Sequence, residues 1–320
     1  MKKFLLSVCC LFNVLLFLQS GSTGAGAYML PDDLYGVAVI KEKIWVCAGY
    51  GRIFHTDDGV DWEYQETGVT KSLISIDFID ENNGFAVGYW GTIIKTEDGG
   101  KNWKKVLVDN SKNFFLTDIY FIDNERGFII GEFARLMATI DGGKSWKQML
   151  GEDLDFMMNG IDFYDGQYGW AVGEFGTVYH STDSGKTWAK IDVEGAEEYT
   201  LFGVKVIDKD RVVITGVDGM VLTTGDGGKS WEKKRVGEFQ LFGVEFINPR
   251  EGFVFGTGQL LKSNDGGNTF ENIELSDELK YGFLYRMEGN VAVGSKGNVT
   301  IWDGEKIKTV RITDLIGSEK

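Results

Sequence analysis

The chain has 320 residues and a formal net charge of −15 at pH 7. Such an acidic protein repels nucleic acid and anionic lipid headgroups over most of its surface, so nucleic-acid binding is set aside. Its 44 glycines, only 2 prolines and 13% aromatic residues indicate short strands and tight turns. Glycine supplies the positive φ of hairpin turns, and aromatic rings suit a half-buried sheet.

Residues 1–27 are predicted to be a cleaved export signal. Lys2 and Lys3 precede an apolar run from Phe4 to Leu18, and Ala25-Gly26-Ala27 has the form of a signal-peptidase site. An uncleaved anchor is the alternative, but the run is shorter than the roughly 20 residues of a membrane span. Cleavage would leave Cys47 as the single remaining cysteine, which excludes an internal disulfide. We expect a single domain over residues 28–320, periplasmic or secreted, monomeric and without stable membrane insertion.

One phrase recurs six times along the rest of the chain. It closes on an aromatic residue at positions 62, 103, 146, 188, 231 and 270, at intervals of 41, 43, 42, 43 and 39 residues. The phrase is the Asp box, S/T-x-D-x-G-x-T/S-W, and Ser181 to Trp188 matches every defined position. A seventh unit, Tyr281 to Ile312, keeps the phrase that precedes each box but lacks a proper box.

Each unit is predicted to form four short strands, which in the second unit are Leu73–Ile79, Phe85–Tyr89, Thr92–Thr96 and Trp103–Leu107. Four strands in roughly 40 residues is the period of a propeller blade. An open solenoid has shorter coils, and a sandwich gives no reason for seven copies. The predicted fold is therefore an all-β, seven-bladed β-propeller of four-stranded antiparallel blades with Asp-box turns. Leu34–Ile40 aligns with the innermost strands and Lys306–Arg311 with the outermost, so each blade is expected to use consecutive chain.

The box aspartates are predicted to stabilise the turn between the third and fourth strands. A short carboxylate there accepts hydrogen bonds from turn N–H groups, while the paired glycines adopt positive φ. Calcium binding is the alternative, but a calcium loop needs several converging acidic ligands, and each box offers one reliable aspartate. We expect neither a metal nor another cofactor. The predicted structural aspartates are Asp57, Asp98, Asp141, Asp183, Asp226 and Asp265.

A binding site is expected on the face opposite the boxes. There the loops between the second and third strands vary in chemistry, as binding loops do, and aromatic side chains beside arginine are common interface anchors. Taken singly, these aromatic residues could instead only cover the channel mouth. The candidate partner-binding residues are Tyr50, Arg52, Tyr89, Trp90, Glu132, Phe133, Arg135, Glu174, Phe175, Asp218 and Lys296.

The innermost strands predict an acidic, solvated central channel. One column of inward positions is mostly small, as crowding near an axis requires: Gly36, Ser75, Asp118, Gly160, Gly203, Gly243 and Phe283. Two residues further on, the column is Ala38, Asp77, Tyr120, Asp162, Lys205, Glu245 and Tyr285.

Catalysis finds little support in the sequence. Sialidase-like chemistry needs an arginine cluster for the substrate carboxylate and a tyrosine nucleophile, yet only Arg52 and Arg135 share equivalent loop positions on the candidate face. His55 and His180 fall on third strands near the boxes, and no catalytic residue is assigned. The alternative that stays open is an extracellular carbohydrate-active enzyme or a lectin.

The composite phrase F-x-D-x-x-x-G-W/F-x-V-G-x-x-G-T-I-x-x-T-x-D-G-G-K-x-W resembles that of the photosystem II assembly and stability factors. Phe78 to Trp103 and Phe163 to Trp188 carry it most clearly, and weaker copies cover nearly all of residues 28–320. The resemblance implies a seven-bladed propeller on the lumenal or periplasmic side that binds protein segments and assists membrane-protein assembly. The arginine-rich patch that it implies is suggested here by Arg52 and Arg135. The resulting hypothesis is an exported binding scaffold for a protein or peptide, a membrane protein among the candidates.

Overall fold

A computed structural model describes residues 33–108, 114–151 and 154–312. They form seven four-stranded antiparallel sheets, and each sheet takes its strands from consecutive chain in the order inner to outer. The predicted seven-bladed propeller and its four-strand blades are confirmed. The predicted export signal at residues 1–27 lies outside the described residues.

The 28 strands are numbered β1 to β28, four to a blade. In blades 1 to 4 they are Leu34–Ile40, Lys43–Ala48, Ile53–Thr56, Glu63–Gln65; Leu73–Phe78, Gly84–Gly88, Ile93–Thr96, Trp103–Lys105; Leu116–Phe121, Gly127–Gly131, Arg135–Thr139, Lys147–Gln148; Met158–Tyr164, Tyr168–Gly173, Val178–Ser181 and Ala189–Ile191. In blades 5 to 7 they are Leu201–Val206, Val212–Gly216, Met220–Thr224, Glu232–Arg235; Leu241–Phe246, Gly252–Gly256, Gln259–Ser263, Glu271–Asn272; Leu284–Glu288, Val291–Gly294, Asn298–Trp302 and Ile307–Arg311.

One short helix, α1 (Asp277–Lys280), lies in the segment that joins blades 6 and 7. Single 3-10 turns at Gly49–Gly51, Tyr89–Gly91, Val217–Gly219 and Ser295–Gly297 each join a second strand to a third. Within the described ranges, no helix has the length and hydrophobicity needed to cross a bilayer.

The ring closes by packing between whole blades. Each inner strand contacts the inner strand of the next blade, and β25 contacts β1. At this closure the carboxylate of Asp33 accepts hydrogen bonds from the Tyr285 hydroxyl at 2.9 Å and the Lys296 N–H at 3.0 Å. The last and first blades are therefore complete sheets, as predicted, and side-chain packing together with Asp33 holds them together.

The Asp-box turns follow one hydrogen-bond scheme. In blade 2, Asp98 Oδ1 accepts from the Asn102 N–H and the Thr96 hydroxyl, both at 2.9 Å, and its Oδ2 accepts from the Asn102 side chain. Both oxygens of the carboxylate are thus occupied by donors of the same turn. The same pattern recurs at Asp141, Asp183, Asp226 and Asp265.

The first box departs from the prediction. Its turn is one residue shorter than the others, and the carboxylate that accepts from Val60 N–H, Asp61 N–H and the Thr56 hydroxyl belongs to Asp58. Asp57, the predicted residue, lies instead 3.2 Å from the Lys43 ammonium. Asp58 therefore has the structural role that was assigned to Asp57.

Aromatic side chains join neighbouring blades. Phe78 of β5 stacks on Trp45 of β2 at a ring-centroid distance of 3.9 Å, and the box residue Trp103 meets Phe78 edge-on at 6.0 Å. Trp45 and Phe78 are buried, as is Trp103. The box tryptophan thus packs into the interface between blades, which buries sheet faces that a lone blade would expose to water.

Candidate functional site

The turns between the second and third strands and the segments between blades share one side of the ring, here called the loop face. In six blades the turn has three residues, and its central residue is here called the apex: Tyr50, Trp90, Phe133, Phe175, Asp218 and Lys296. All six were predicted partner-binding residues, and the structure places them at one equivalent position of the ring.

Every apex residue has a left-handed backbone, with φ between 56° and 63°. The next residue, usually glycine, also has positive φ, as a type I′ turn requires. Such turns favour asparagine, aspartate or glycine at the first position, because left-handed φ costs most other residues roughly 1–2 kcal/mol. Four consecutive blades instead present an aromatic side chain there.

The four aromatic apexes are exposed to solvent. Their exposed fractions run from 43% for Phe133 to 61% for Tyr50, with Trp90 and Phe175 between. Backbone strain combined with exposed aromatic surface is characteristic of binding sites, since neither feature stabilises the free protein. The signal in the sequence was an aromatic residue in each turn, followed by glycine in three of the four, and the backbone strain became apparent only from the φ angles.

Cationic side chains lie beside these aromatic apexes. The Arg52 guanidinium lies 5.6 Å from the Tyr50 ring centroid, and the Lys71 ammonium lies 4.7 Å from that of Trp90. Arg135 lies 3.9 Å from the centroid of Phe114. Lys71 and Phe114 were not predicted, because both belong to segments between blades rather than to the turns. Blades 1 to 3 therefore form one cationic and aromatic part of the loop face.

Three other predicted residues serve mainly to build this face. The Glu132 carboxylate accepts a hydrogen bond from Phe115 N–H at 3.1 Å, and the Glu174 carboxylate accepts one from Met157 N–H at 3.0 Å. Tyr89 stacks on Phe115 at 4.4 Å, and burial raises its pKa. These residues fix the segments between blades against the turns, which positions the apexes beside them.

The channel residues of blade 7 differ from the prediction. Strand register pairs Arg286 with Val293 as it pairs Ser75 with Val87, so Arg286 and Glu288 occupy the two inward columns. Phe283 and Tyr285, which were predicted there, belong to an aromatic cluster at the channel mouth in which their rings stack at 5.7 Å. Blade 7 lacks a box to anchor the alignment, which explains the three-residue error.

Arg286 reaches across the channel axis. It pairs with the buried carboxylate of Asp118 in blade 3 and donates to the Ser75 hydroxyl at 3.0 Å. Lower in the channel, the Lys205 ammonium lies 2.9 Å from Glu245 and 3.9 Å from Asp162. Five carboxylates and two cations line a cavity of about 150 Å³, so the predicted acidic character is confirmed.

Burial and mutual repulsion perturb these carboxyl groups. Burial, then the charges of Asp77 and Glu245, raise the pKa of Glu288 to about 8. Burial likewise raises the pKa of Asp77 to about 6, although its carboxylate accepts from Phe121 N–H at 2.6 Å. Most of the channel carboxylates are engaged by ion pairs across the axis or by backbone N–H donors. This favours a structural role for the channel.

Neither histidine lies at the loop face. His180 stacks on Trp170 at 4.0 Å, and His55 lies 4.7 Å from the Trp45 ring. Burial lowers the pKa of both imidazoles. Across the described part of the chain, no cluster of three or more His, Cys, Asp or Glu residues is arranged to hold a metal ion.

Comparison with known proteins places this architecture among its relatives. The family model described as "Photosynthesis system II assembly factor YCF48" matches residues 55–117, 108–196 and 192–282. A curated relative, the photosystem II assembly lipoprotein Ycf48 of Prochlorococcus marinus (strain MIT 9312), is 38% identical over 64 residues. That match spans 19% of this chain and 19% of the relative's own length.

Two solved structures illustrate the fold. "YCF48 bound to D1 peptide" superposes with a TM-score of 0.69 at 19% identity, over 88% of this chain and 95% of the other. An ancestral GH74 enzyme superposes with a TM-score of 0.67 at 12% identity, over 87% of this chain and 46% of the other. Identities this low show a shared propeller fold and leave function to be argued from the site.

Proposed function

Because this chain belongs to the photosynthesis system II assembly factor YCF48 family, we propose that it is an exported, non-enzymatic scaffold that assists the assembly or stability of a membrane protein complex. It binds a polypeptide segment of that complex on its loop face. The observation that carries the proposal is the row of four exposed aromatic apexes held in left-handed backbone. Their strain and exposed apolar surface are compensated when a partner covers them.

The nature of the partner follows from the chemistry of this face. Aromatic side chains and arginine are among the residues most enriched where proteins bind proteins. The similar solved structure, YCF48, is bound to a D1 peptide, which supports a polypeptide as the ligand class here. The acidic remainder of the surface repels anionic headgroups, so contact with a membrane complex is expected through its protein part.

A binding role is better supported than hydrolysis. A glycosidase needs two carboxyl groups flanking an open substrate site. In the channel, Asp118 pairs with Arg286, while Asp162 and Glu245 share Lys205. The alternative, a carbohydrate-active enzyme or lectin, is tested with a glycan array and a panel of chromogenic glycosides. Turnover or tight sugar binding would replace the scaffold proposal.

Cross-linked capture from native membranes tests the face directly. We compare the full chain with a double variant, Trp90→Ala with Arg135→Ala, and expect the variant to lose most of the specifically captured partner. The matched control is Tyr164→Ala with Arg250→Ala, a partly exposed aromatic residue and an exposed arginine on the box side. If the loop-face variant retained every partner, the proposed binding face would be wrong.

A further inference from the structure

A groove of about 750 Å³ lies on the loop face between the turn of blade 6 and the segments that flank it. Its walls carry Phe239 and Tyr281, which are 51% and 76% exposed. Gly237, Gly258 and Gly282 line it as well, so backbone rather than side chains forms much of its surface. The groove therefore combines open apolar rings with a backbone that a ligand can approach closely.

The groove exists because blade 6 lacks an apex. Gly256 pairs directly with Gln259, so its turn contains only Thr257 and Gly258, one residue fewer than in the other blades. A Cβ on Gly258 would collide with the Lys280 carbonyl, which shows how tightly the shortened turn meets the next segment. Where the other blades project a side chain, blade 6 leaves space.

The groove is held in shape before any ligand binds. The Gln259 side chain accepts a hydrogen bond from Glu238 N–H at 2.7 Å and donates to the Phe239 carbonyl at 3.2 Å. This side chain ties the wall that carries Phe239 to the blade 6 turn. A preformed groove loses little conformational entropy on binding, which favours affinity.

Its charge is opposite to that of the whole protein. Arg235 and Lys280 stand at the groove beside one acid, Glu238, in a chain whose net charge is −15. Arg235 donates through Nε to the Asp218 carbonyl at 3.0 Å and through Nη2 to the Glu238 carbonyl at 3.3 Å. The guanidinium is thereby fixed in place, while its Nη1 and the Lys280 ammonium have no partner within the described ranges.

We propose that this groove receives one large apolar side chain of an extended polypeptide, with a carboxylate next to it on Arg235 and Lys280. The inference rests on the proposed function, because it assigns part of the partner's recognition sequence to the same face. The space left by the missing apex takes the apolar side chain, and the two cations select the neighbouring charge. The aromatic apexes of blades 1 to 4 contact the rest of the segment.

Fluorescence polarisation of labelled nonapeptides tests the groove with the full chain. Three peptides share a Gly-Ser background and carry Phe-Asp, Ser-Asp or Phe-Lys at the centre. We expect the Phe-Asp peptide to bind about tenfold more tightly than either of the others, the effect of losing one anchor. Equal binding of the three peptides, or no binding of the Phe-Asp peptide, would overturn the inference.

Variants locate the binding within the groove. Tyr281→Ser and Arg235→Gln are each expected to weaken the Phe-Asp peptide about fivefold to tenfold. Insertion of a phenylalanine between Thr257 and Gly258 gives the blade 6 turn the same length as that of blade 4. The added ring is expected to fill the groove and abolish binding. Tyr164→Ser, which removes an exposed ring on the box side, is the matched control and should leave this short peptide's affinity unchanged. Thermal unfolding confirms that each variant folds.

The same variants separate this inference from the proposed function. If Trp90→Ala with Arg135→Ala loses the membrane partner but Tyr281→Ser and Arg235→Gln keep it, the scaffold proposal stands and the groove inference fails. If neither set alters capture, the loop face itself is not the binding surface.

Discussion

Gly143 of the blade 3 box seats the ring of Phe85 in blade 2, because a Cβ on Gly143 would stand 2.7 Å from the ring edge. The equivalent glycines Gly185 and Gly228 meet Phe128 and Trp170 of their preceding blades in the same way. The glycine two residues after the box aspartate therefore serves two purposes: it adopts positive φ, and it lets an aromatic ring of the neighbouring blade pack against backbone.

Gly143→Ala is expected to destabilise the fold by at least about 2 kcal/mol, because it combines left-handed strain with overpacking against Phe85. The matched control is Gly68→Ala, which also has positive φ and where nothing lies within 4 Å of the new Cβ. Urea unfolding monitored by tryptophan fluorescence measures both. A loss at Gly143 no larger than that at Gly68 would contradict the packing role.

Trp90→Asn is expected to stabilise the free protein by roughly 1 kcal/mol, since asparagine tolerates the left-handed backbone better than tryptophan does. The same change should weaken partner capture, so stability and binding would move in opposite directions. Thermal unfolding and cross-linked capture are measured on one preparation. Tyr164→Asn, at a strand position without positive φ, controls for the loss of an exposed ring. A less stable Trp90 variant would remove the strain argument.

Arg286→Met is expected to cost about 3–5 kcal/mol, because it leaves the buried carboxylate of Asp118 without its cation. Adding Asp118→Asn to that variant should recover a substantial part of the loss, since the uncompensated charge is then gone. A double-mutant cycle of urea unfolding free energies gives the coupling. Additive losses in the two single variants would show that the cross-axis pair contributes no specific stability.

The free energy of unfolding is expected to carry a term from Glu288 that falls as pH rises from about 4.5 to about 8. Its pKa is raised from 4.5 to about 8 in the fold, so over that window the folded chain holds a proton that the unfolded chain has released. The slope of this term is at most about 1.4 kcal/mol per pH unit. Urea unfolding of Glu288→Gln at several pH values should lack that term.

Below this window the box aspartates act in the opposite direction. Hydrogen bonds within the turn lower the pKa of Asp141, Asp226 and Asp265 to about 2 from 3.8, so their stabilisation is present above pH 3.8 and is lost as pH falls towards 2.

Glu42→Gln, which alters an exposed carboxylate, is the control for Glu288→Gln. An unchanged pH profile for Glu288→Gln would refute its buried protonation.

Asp58→Ala is expected to lower the urea midpoint more than Asp57→Ala does. Asp58 accepts two backbone N–H groups and a hydroxyl in the first box, whereas Asp57 makes a surface ion pair with Lys43. The two adjacent aspartates are matched in size and charge, so each serves as the other's control. The reverse order of midpoints would restore the original assignment to Asp57.

The repeat period predicted the blade count and strand order because each blade has the same packing requirement. The errors arose where a copy is irregular. Box 1 is one residue short, so alignment on Trp62 selected Asp57 in place of Asp58. Blade 7 has no box, and its inward residues were placed three positions early, which hid the Arg286–Asp118 pair.

The sequence identified the apex residues of the candidate face, but it did not identify Lys71 or Phe114, and it did not show the backbone conformation of the apexes. Composition of the turns identified the aromatic apexes, while their left-handed backbone depends on the pairing register of the flanking strands. The shorter turn of blade 6, Thr257-Gly258, is visible in the sequence when it is compared with the three-residue turn of blade 5, Val217-Asp218-Gly219. Its consequence, an open groove, depends on how α1 and its flanking residues pass beside it.

Because the first and last blades are both complete sheets, the order in which the chain connects the blades can be changed without dividing any sheet. Arg311 ends the outer strand β28 and Leu34 begins the inner strand β1, and the seven residues between Gln65 and Leu73 connect an outer strand to an inner one in the same way. If a linker of that length joined β28 to β1, the protein should tolerate circular permutation, with new ends opened between any two neighbouring blades. A permuted ring should carry the same loop face, because neighbouring blades, blades 7 and 1 included, pack as complete sheets.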